Sequence, residues 1–397
     1  MELSKRAVAI PPSPIRKLLP LELKAREAGK HIYKLNIGQP DIETPQAFFQ
    51  ALREELPPVL AYGPSQGIAP FRNAVSEYYQ KLGIPFSPEE IMITTGGSEA
   101  IFFAFLAIAN PGDEIIVFEP YYTNYFGFAV YADVNLVPCT LKAENGFHLP
   151  PAEQIESLIT EKTKAIICCS PNNPTGTVFT REEVGVLAGI AKKHDLYVVS
   201  DEVYREFAYD GEMPTSIMAF EEVWDRAIVI DSISKRFSAC GARIGNLATK
   251  NPQVYQAVLR FGQARLCPAT AEQMGAVSLY KLGDDYYASV RDEYMKRRDV
   301  IFRELENIPG VVCHMPEGAF YIMVKLPIDN ADHFAEWLLT DFSHEGETVM
   351  VAPGAGFYAT KGMGEDEIRL AYVLEADQCK RATQLLKMAV EQYLARS

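Results

Sequence analysis

The sequence predicts an α/β protein with a large, mostly parallel seven-stranded sheet and a smaller α+β unit. Short β-rich runs alternate with amphipathic stretches between residues 91 and 249, which is typical of a sheet covered by helices on both faces. The last third of the chain has longer helical stretches and fewer strand-like runs. A length of 397 residues accommodates both units. We therefore predict a large domain at 46–280 and a small domain formed by 1–45 and 281–397.

The individual elements follow from local patterns of hydrophobicity. The stretch 181–193 has apolar residues at Val184, Leu187, Ala188 and Ala191, which is helical spacing. The strands predicted for the large sheet are 91–94, 114–118, 134–138, 165–169, 196–200, 227–231 and 243–249. In the small unit we predict helices at 284–306, near 331–342 and at 377–394, and strands at 320–326, 349–353 and 367–373. Residues 1–45 are expected to have no sheet of their own and to pack on this unit or on a neighbouring subunit.

Composition excludes several classes of function. A formal net charge of −14 argues against a nucleic-acid partner, since phosphate binding needs clustered lysines and arginines. There is no run of 18 apolar residues, so no membrane span is predicted, and the apolar stretch at 7–10 is too short for a signal peptide. The seven cysteines form no C-x-x-C motif and the six histidines have no metal-ligand spacing. We expect a cytoplasmic protein with no metal site.

The stretch TTGGSEA at 94–100 is a candidate anion site. It follows a predicted strand and begins a predicted helix, and the free backbone N–H groups at a helix N-terminus favour an anion. Ser98 can add a hydroxyl group. The alternative is that Ser98 only caps the helix, and no Gly-Lys-Ser/Thr follows that would make the stretch a P-loop.

Two further loops follow predicted strands, where ligands bind in such sheets. SPNNPTG at 170–176 is a rigid turn, and Asn173 could offer its amide to a ligand or only bond its own backbone. SDEVY at 200–204 places Asp201 at a buried strand end, where a carboxylate needs a cation or several donors. Tyr204 could project from the same turn. The alternative for Asp201 is a helix cap.

SISKRFSACGAR at 232–243 places a lysine at the end of a strand, where two chemistries could use it. Lys235 could form an imine with an aldehyde, or it could be the base for Ser232 in a Ser-x-x-Lys hydrolase. Arg243, expected to begin the next strand, has a fork of donors suited to phosphate or carboxylate. Arg369 lies in the apolar run EIRLAYV and is expected to be partly buried, so it needs an anionic partner. That partner could be a ligand or a carboxylate of the chain in an internal salt bridge.

Together these loops supply an anion site, an amide, a carboxylate with a phenol, and a lysine with an arginine. That set matches pyridoxal 5'-phosphate, which carries a phosphate, a pyridine nitrogen, a phenolic oxygen and an aldehyde. The sequence also resembles the class I/II aminotransferases of the aspartate aminotransferase family, with the fold type I architecture of pyridoxal-phosphate transferases. Nine motifs carry the resemblance over nearly the whole chain and occur in the family's order: NIGQPD, AYGPSQG, TTGGSEA, EPYYTNY, SPNNPTG, SDEVY, SISKRFSACGARIG, PEGAFY and EIRLAYV.

The resemblance implies a role for each matching residue around the cofactor ring. Lys235 would hold the cofactor as an imine and later move the substrate proton, and Asp201 would pair with the pyridinium. Tyr204 and Asn173 would bond the phenolic oxygen, which lowers the imine pKa. Tyr122 would stack on the ring, where many relatives have tryptophan.

The resemblance also implies the phosphate and substrate contacts. Arg243, Ser232 and the helix start at Gly97, Ser98 and Glu99 would hold the phosphate. Tyr62 would reach the phosphate of a second subunit, which implies a homodimer with shared active sites.

Arg369 would bind the substrate α-carboxylate, helped by Asn173 and the backbone of Gly38. The substrates would be an L-amino acid and a 2-oxo acid, with aspartate, alanine or aromatic donors expected. A dicarboxylate substrate would need another cation, for which Arg265 of the partner subunit is a candidate. Ala242 stands where many relatives have a bulky residue. This departure puts in doubt any detailed inference about which substrate fits the site.

Four rival functions remain at the level of sequence. A C–S β-lyase or a decarboxylase could use the same cofactor and fold, since orientation in the site decides which bond breaks. The Ser232–Lys235 hydrolase is disfavoured because the chain has SDE rather than S-D-N at 200–202 and no K-T-G motif. A non-catalytic regulator is disfavoured because such proteins carry an added DNA-binding domain, for which there is no spare length or basic patch.

Overall fold

The computed structural model describes residues 2–10, 13–211 and 213–396 of the chain. Within these residues the strands are β1 His31–Lys34, β2 Ile91–Thr94, β3 Glu114–Glu119, β4 Asn135–Thr140, β5 Thr163–Cys169, β6 Tyr197–Asp201, β7 Ala227–Ser232, β8 Gly245–Ala248, β9 Tyr321–Lys325, β10 Glu347–Met350, β11 Ala352–Pro353 and β12 Glu367–Ala371. The α-helices are α1 Lys5–Ala9, α2 Leu19–Glu27, α3 Gln46–Glu54, α4 Ala69–Lys81, α5 Gly96–Ile108, α6 Asn124–Ala132, α7 Ala152–Glu156, α8 Arg181–Lys193, α9 Ile233–Arg236, α10 Pro252–Arg265, α11 Thr270–Leu279, α12 Asp284–Leu305, α13 Ala331–Thr340 and α14 Ala376–Leu394.

The large sheet has seven strands in the order β2-β8-β7-β6-β5-β3-β4. Strand β8 is antiparallel to both of its neighbours, and the remaining pairs are parallel. The prediction of a mostly parallel seven-stranded sheet is therefore confirmed. Because β2, β5, β6 and β7 all point the same way, the loops that follow them meet at one edge of the sheet, together with the residues that precede β8.

Apolar side chains cover both faces of this sheet. In β3, Ile115 and Val117 belong to one buried cluster, whereas Ile116 and Phe118 belong to another on the opposite face. This is why the parallel strands read as continuous apolar runs rather than as an alternating pattern. Helix α8 packs on β5 and β6, and it begins at the residue predicted because Thr180 and Glu183 form a reciprocal capping box.

Two smaller sheets stand apart from the large one. Strands β11, β12 and β9 form an antiparallel sheet, and β1 pairs with β10 in a parallel pair. The strand predicted at 349–353 is therefore wrong as one element, because Val351 separates β10 from β11 and these lie in different sheets. The N-terminal segment, expected to have no sheet of its own, contributes β1 to a sheet shared with β10. The domain boundaries at 46 and 280 stay a prediction.

The last strand of the large sheet begins later than predicted. Strand β8 starts at Gly245, whereas Arg243 has a φ of +54° and so lies in the left-handed region, outside the extended conformation of a strand. The tight turn directs Arg243 towards the end of β2. No helix in the described residues is both long and apolar enough to cross a lipid bilayer.

Candidate active site

A cavity of about 500 Å³ lies at the edge of the large sheet where the strand ends meet. The sites expected from separate stretches of sequence converge there. The predicted residues that line the cavity are Gly38, Gly97, Ser98, Tyr122, Asn173, Asp201, Tyr204, Ser232, Lys235, Arg243 and Arg369. Of the predicted set, only Tyr62 and Glu99 do not line it.

Lys235 lies on the short helix α9, directly after β7. The hydroxyl of Ser232 accepts a hydrogen bond of 3.1 Å from the backbone N–H of Ser234 and so caps this helix. The Lys235 Nζ donates to the backbone oxygen of Gly38 at 2.8 Å. Burial lowers the pKa of Lys235, and the positive charges of Arg369 and Arg243 lower it further. The lowered pKa increases the fraction of neutral amine, which is the form of Lys235 that can act as a nucleophile or accept a proton.

Asp201 ends β6 and is only 5% exposed. Its carboxylate accepts hydrogen bonds from the Tyr125 hydroxyl at 2.6 Å and from the Val203 backbone N–H at 3.4 Å. No lysine or arginine among the described residues forms an ion pair with it, and burial raises its pKa to about 6. A buried carboxylate without a cation fits a ligand that brings a positive charge, such as a pyridinium.

Two tyrosines that the sequence reasoning did not assign complete this region. Tyr125 bonds Asp201, and it is the last residue of the EPYYTNY motif. The Tyr321 hydroxyl lies 2.8 Å from that of Tyr204, and it ends the PEGAFY motif. A Cβ atom on Gly38 would lie 1.9 Å from the Tyr321 hydroxyl, so only glycine fits at position 38. Both tyrosines belong to motifs that were noted in the sequence. Their roles could not be assigned there, because they depend on contacts between distant parts of the chain.

An anion cradle forms where α5 begins. Gly96 has a φ of +71°, and a Cβ atom on it would lie 2.5 Å from Nη2 of Arg243. Arg243 donates to the backbone oxygen of Cys240 at 3.0 Å, and it has no carboxylate partner in the part of the chain that the structure describes. The helix N-terminus at Gly97 and Ser98 borders the same cavity. This donor set fits a phosphate group.

Ser232 and Glu99, both predicted to contact the phosphate, have hydrogen-bond partners within the chain, and their contacts with a phosphate stay predictions. The Ser232 hydroxyl donates to the backbone oxygen of Ile244 at 2.9 Å, so in this structure it joins β7 to the turn before β8. The Glu99 carboxylate accepts from the Thr95 N–H at 2.8 Å and lies 3.2 Å from Nε of Arg265. A carboxylate would also repel a phosphate.

Arg369 is a buried guanidinium on β12, and it is 2% exposed. It donates to the Asn173 side-chain oxygen at 3.0 Å and to the Asn36 backbone oxygen at 2.6 Å. Its carbon Cζ lies 4.6 Å from the centre of the Tyr321 ring. Within the described residues its Nε has no hydrogen-bond partner and the guanidinium has no carboxylate partner. Arg369 therefore has no internal salt bridge within the described residues. Its buried guanidinium fits the carboxylate of a ligand.

The sequence matches the family "Aminotransferase class I and II" over residues 30–386. The chain belongs to the class I and II aminotransferases. It is 30% identical to the aspartate aminotransferase of Bacillus subtilis (strain 168), over 99% of this chain and 100% of that one. It is 31% identical to aromatic-amino-acid aminotransferase 2 of Thermococcus litoralis, over 99% of each chain. The solved structure of alanine aminotransferase from Pyrococcus furiosus superposes with a TM-score of 0.90 at 28% identity, covering 98% of this chain and 100% of that one.

This aminotransferase transfers an amino group between an L-amino acid and a 2-oxo acid, and its architecture is the fold type I of its structural neighbours. The contacts in the cavity also argue against the Ser-x-x-Lys hydrolase. In such a pair the lysine amine would accept the serine proton. Here the Ser232 hydroxyl contacts Ile244 and Ser234, whereas Lys235 Nζ bonds Gly38.

Proposed function

We propose that the aminotransferase works with pyridoxal 5'-phosphate, bound in the cavity with the aldehyde carbon held by Lys235. The observation that carries this proposal is the buried Asp201, which has no cationic partner within the described residues and faces the same cavity as a lysine of lowered pKa. Arg243 and the N-terminus of α5 would hold the phosphate, and Asp201 would pair with the ring nitrogen. Bound there, the cofactor supplies an electron sink for the pair left behind when a substrate bond breaks.

The residues of the chain then have distinct tasks in the reaction. Arg369 would bind the substrate α-carboxylate and so fix which α-carbon bond faces Lys235. The Lys235 amine, once free, would accept the α-proton and later return a proton, which its lowered pKa favours. Asp201 would keep the ring nitrogen protonated. Tyr204 and Asn173 would bond the phenolic oxygen and Tyr122 would stack on the ring.

The candidate amino donors are aspartate, alanine and aromatic amino acids, as in the names of its relatives. The decisive experiment incubates the purified protein, loaded with pyridoxal phosphate, with each donor and either 2-oxoglutarate or pyruvate. Stoichiometric exchange of amino group for keto group supports the proposal. Release of ammonia and pyruvate without an acceptor would favour the β-lyase, and release of carbon dioxide would favour the decarboxylase.

Trapping the cofactor tests its attachment point independently of turnover. Borohydride reduction followed by peptide mass spectrometry should place the cofactor mass on Lys235. Lys235→Ala should lose the label. Lys250→Ala is the matched control, because Lys250 pairs with Glu90 outside the cavity and should leave the label in place. A label on any other residue would contradict the proposed role of Lys235.

We also propose a homodimer in the cytoplasm. Tyr62 is 82% exposed, and the apolar residues Leu56, Val59 and Leu60 beside it are exposed as well, which suits a surface covered by a second copy. All seven cysteines are free thiols, as expected in a reducing compartment. Light scattering should give twice the chain mass. Tyr62→Phe should weaken cofactor binding if its hydroxyl reaches the phosphate of a second subunit, and a monomer that binds the cofactor normally would refute the shared site.

A further inference from the structure

The cavity carries a local excess of positive charge in a protein that is strongly negative overall. Among the described residues, four cationic side chains line it, namely Arg16, Lys235, Arg243 and Arg369, against one carboxylate, Asp201. The formal net charge of the whole chain is −14. A cavity whose charge opposes that of the whole protein selects anionic ligands.

The proposed function uses three of the four cations. Lys235 would hold the cofactor aldehyde, Arg243 its phosphate and Arg369 the substrate α-carboxylate. Arg16 has no task in that scheme. A substrate with a single carboxylate, together with the cofactor, leaves the fourth cation without an anion.

The backbone holds Arg16 in place at the cavity. It lies in the turn at 14–18 that leads into α2, where its N–H donates to the Ser13 oxygen at 3.1 Å and its oxygen accepts from the Leu19 N–H at 3.0 Å. On one side of it, Pro14 packs so closely on Gly356 that a Cβ atom there would lie 2.4 Å from the Pro14 ring. On the other side, Leu18 is 1% exposed. The position of Arg16 is therefore set by packing on both sides.

The guanidinium itself is open to a ligand. Its side chain forms no hydrogen bond or ion pair within the described residues, whereas the adjacent Lys17 pairs with Asp332. Ile15 and Ile37 line the same cavity and offer apolar surface to the methylene groups of a substrate side chain. The other candidate cation, Arg265, is occupied in its own chain by Glu99 and by the backbone oxygen of Ile93.

We propose that Arg16 binds the side-chain carboxylate of a dicarboxylic amino acid or 2-oxo acid, so that the enzyme prefers acidic over neutral substrates. This inference rests on the proposed function, because it assumes that Arg369 takes the α-carboxylate. A carboxylate at each end of the substrate then meets its own arginine, and the guanidinium fork gives each contact direction as well as charge.

The test compares Arg16→Met with wild type in the cofactor-loaded enzyme, using aspartate and alanine as donors. The variant should lose about tenfold or more in kcat/KM for aspartate, mainly through KM, because it loses a charge-assisted hydrogen bond. Its kcat/KM for alanine should change little. Arg16→Lys should recover part of the loss. Lys24→Met is the matched control, since it removes one charge from the same N-terminal region without lining the cavity.

Calorimetry gives a readout that does not depend on turnover. Wild type should bind succinate, a four-carbon dicarboxylate, more tightly than butyrate, and Arg16→Met should remove that preference. Equal losses for aspartate and alanine, or an unchanged preference for succinate, would overturn the role of Arg16 while leaving the aminotransferase chemistry intact. A wild type that transfers no amino group from any donor would overturn the proposed function and this inference together.

Discussion

The Asn173 side-chain oxygen accepts a hydrogen bond of 3.0 Å from Nη1 of Arg369, although the two residues are 196 positions apart. This contact joins the loop after β5 of the seven-stranded sheet to the central strand of the three-stranded sheet. Both residues line the cavity, and Asn173 is 4% exposed. The arginine proposed to bind substrate is thus oriented by the same loop that borders the proposed cofactor site.

Replacing Arg369 by lysine should show whether the guanidinium fork binds the substrate. Arg369→Lys keeps the charge but loses the paired donors, so kcat/KM should fall by about a hundredfold for every amino donor. Stopped-flow absorbance of the half-reaction measures this, and cofactor binding should persist. Arg381→Lys is the control, because Arg381 pairs with Glu347 outside the cavity. An unchanged kcat/KM in Arg369→Lys would contradict the assignment.

A methyl group at position 96 should disrupt the anion cradle. Gly96→Ala places a Cβ atom 2.5 Å from Nη2 of Arg243, so the guanidinium must move and the dissociation constant for pyridoxal phosphate should rise about tenfold. Gly112→Ala is the matched control. Gly112 has a φ of +86° and open space where its Cβ atom would stand, so the substitution brings similar backbone strain away from the cavity. Equal cofactor affinity in both variants would refute the cradle.

Asp201 should make the stability of the cofactor-free protein depend on pH. Because burial raises its folded-state pKa to about 6, from 3.8, the folded state holds the proton more tightly than the unfolded state. The free energy of unfolding of wild type, relative to Asp201→Asn, should therefore fall by about 2 kcal/mol as the pH rises from about 4 to 7. Denaturant titrations at several pH values measure this difference. Parallel curves for the two proteins would show that Asp201 is not desolvated.

His148 should stabilise the fold at neutral pH and lose this effect in alkali. Its ring contacts the Glu183 carboxylate at 3.0 Å and lies 3.6 Å from that of Glu317, and hydrogen bonds to these carboxylates raise the pKa of His148 to about 10. A raised folded-state pKa gives stability that is complete below about pH 6.5 and is lost as the pH rises through about 10.

Thermal melts of His148→Gln across a pH range from about 6 to about 10.5 measure this contribution. The deficit in Tm relative to wild type should shrink as the pH increases. His314→Gln is the control, since His314 and His148 line one cavity but His314 has no ion pair in the described residues. A deficit in His148→Gln that is independent of pH would show that packing, not charge, explains the effect.

Much of the large sheet could be predicted because its strands are buried on both faces and therefore carry a strong local signal. The run 91–94 and the helix 181–193 coincide with β2 and α8. The small sheets were harder, since the pairing of β1 with β10 joins segments more than 300 residues apart. Val351 separates two strands that no local pattern distinguishes.

By itself the sequence determined the α/β architecture, the order of the loops at the sheet edge and the kinds of side chain available there, because backbone patterning and loop chemistry are local properties. Only the tertiary structure decided which of those side chains meet. It turned Glu99 towards Arg265, placed Tyr125 on Asp201 and brought Arg16 to the cavity. These outcomes depend on packing and on the electrostatics of burial, which act between residues far apart in the chain.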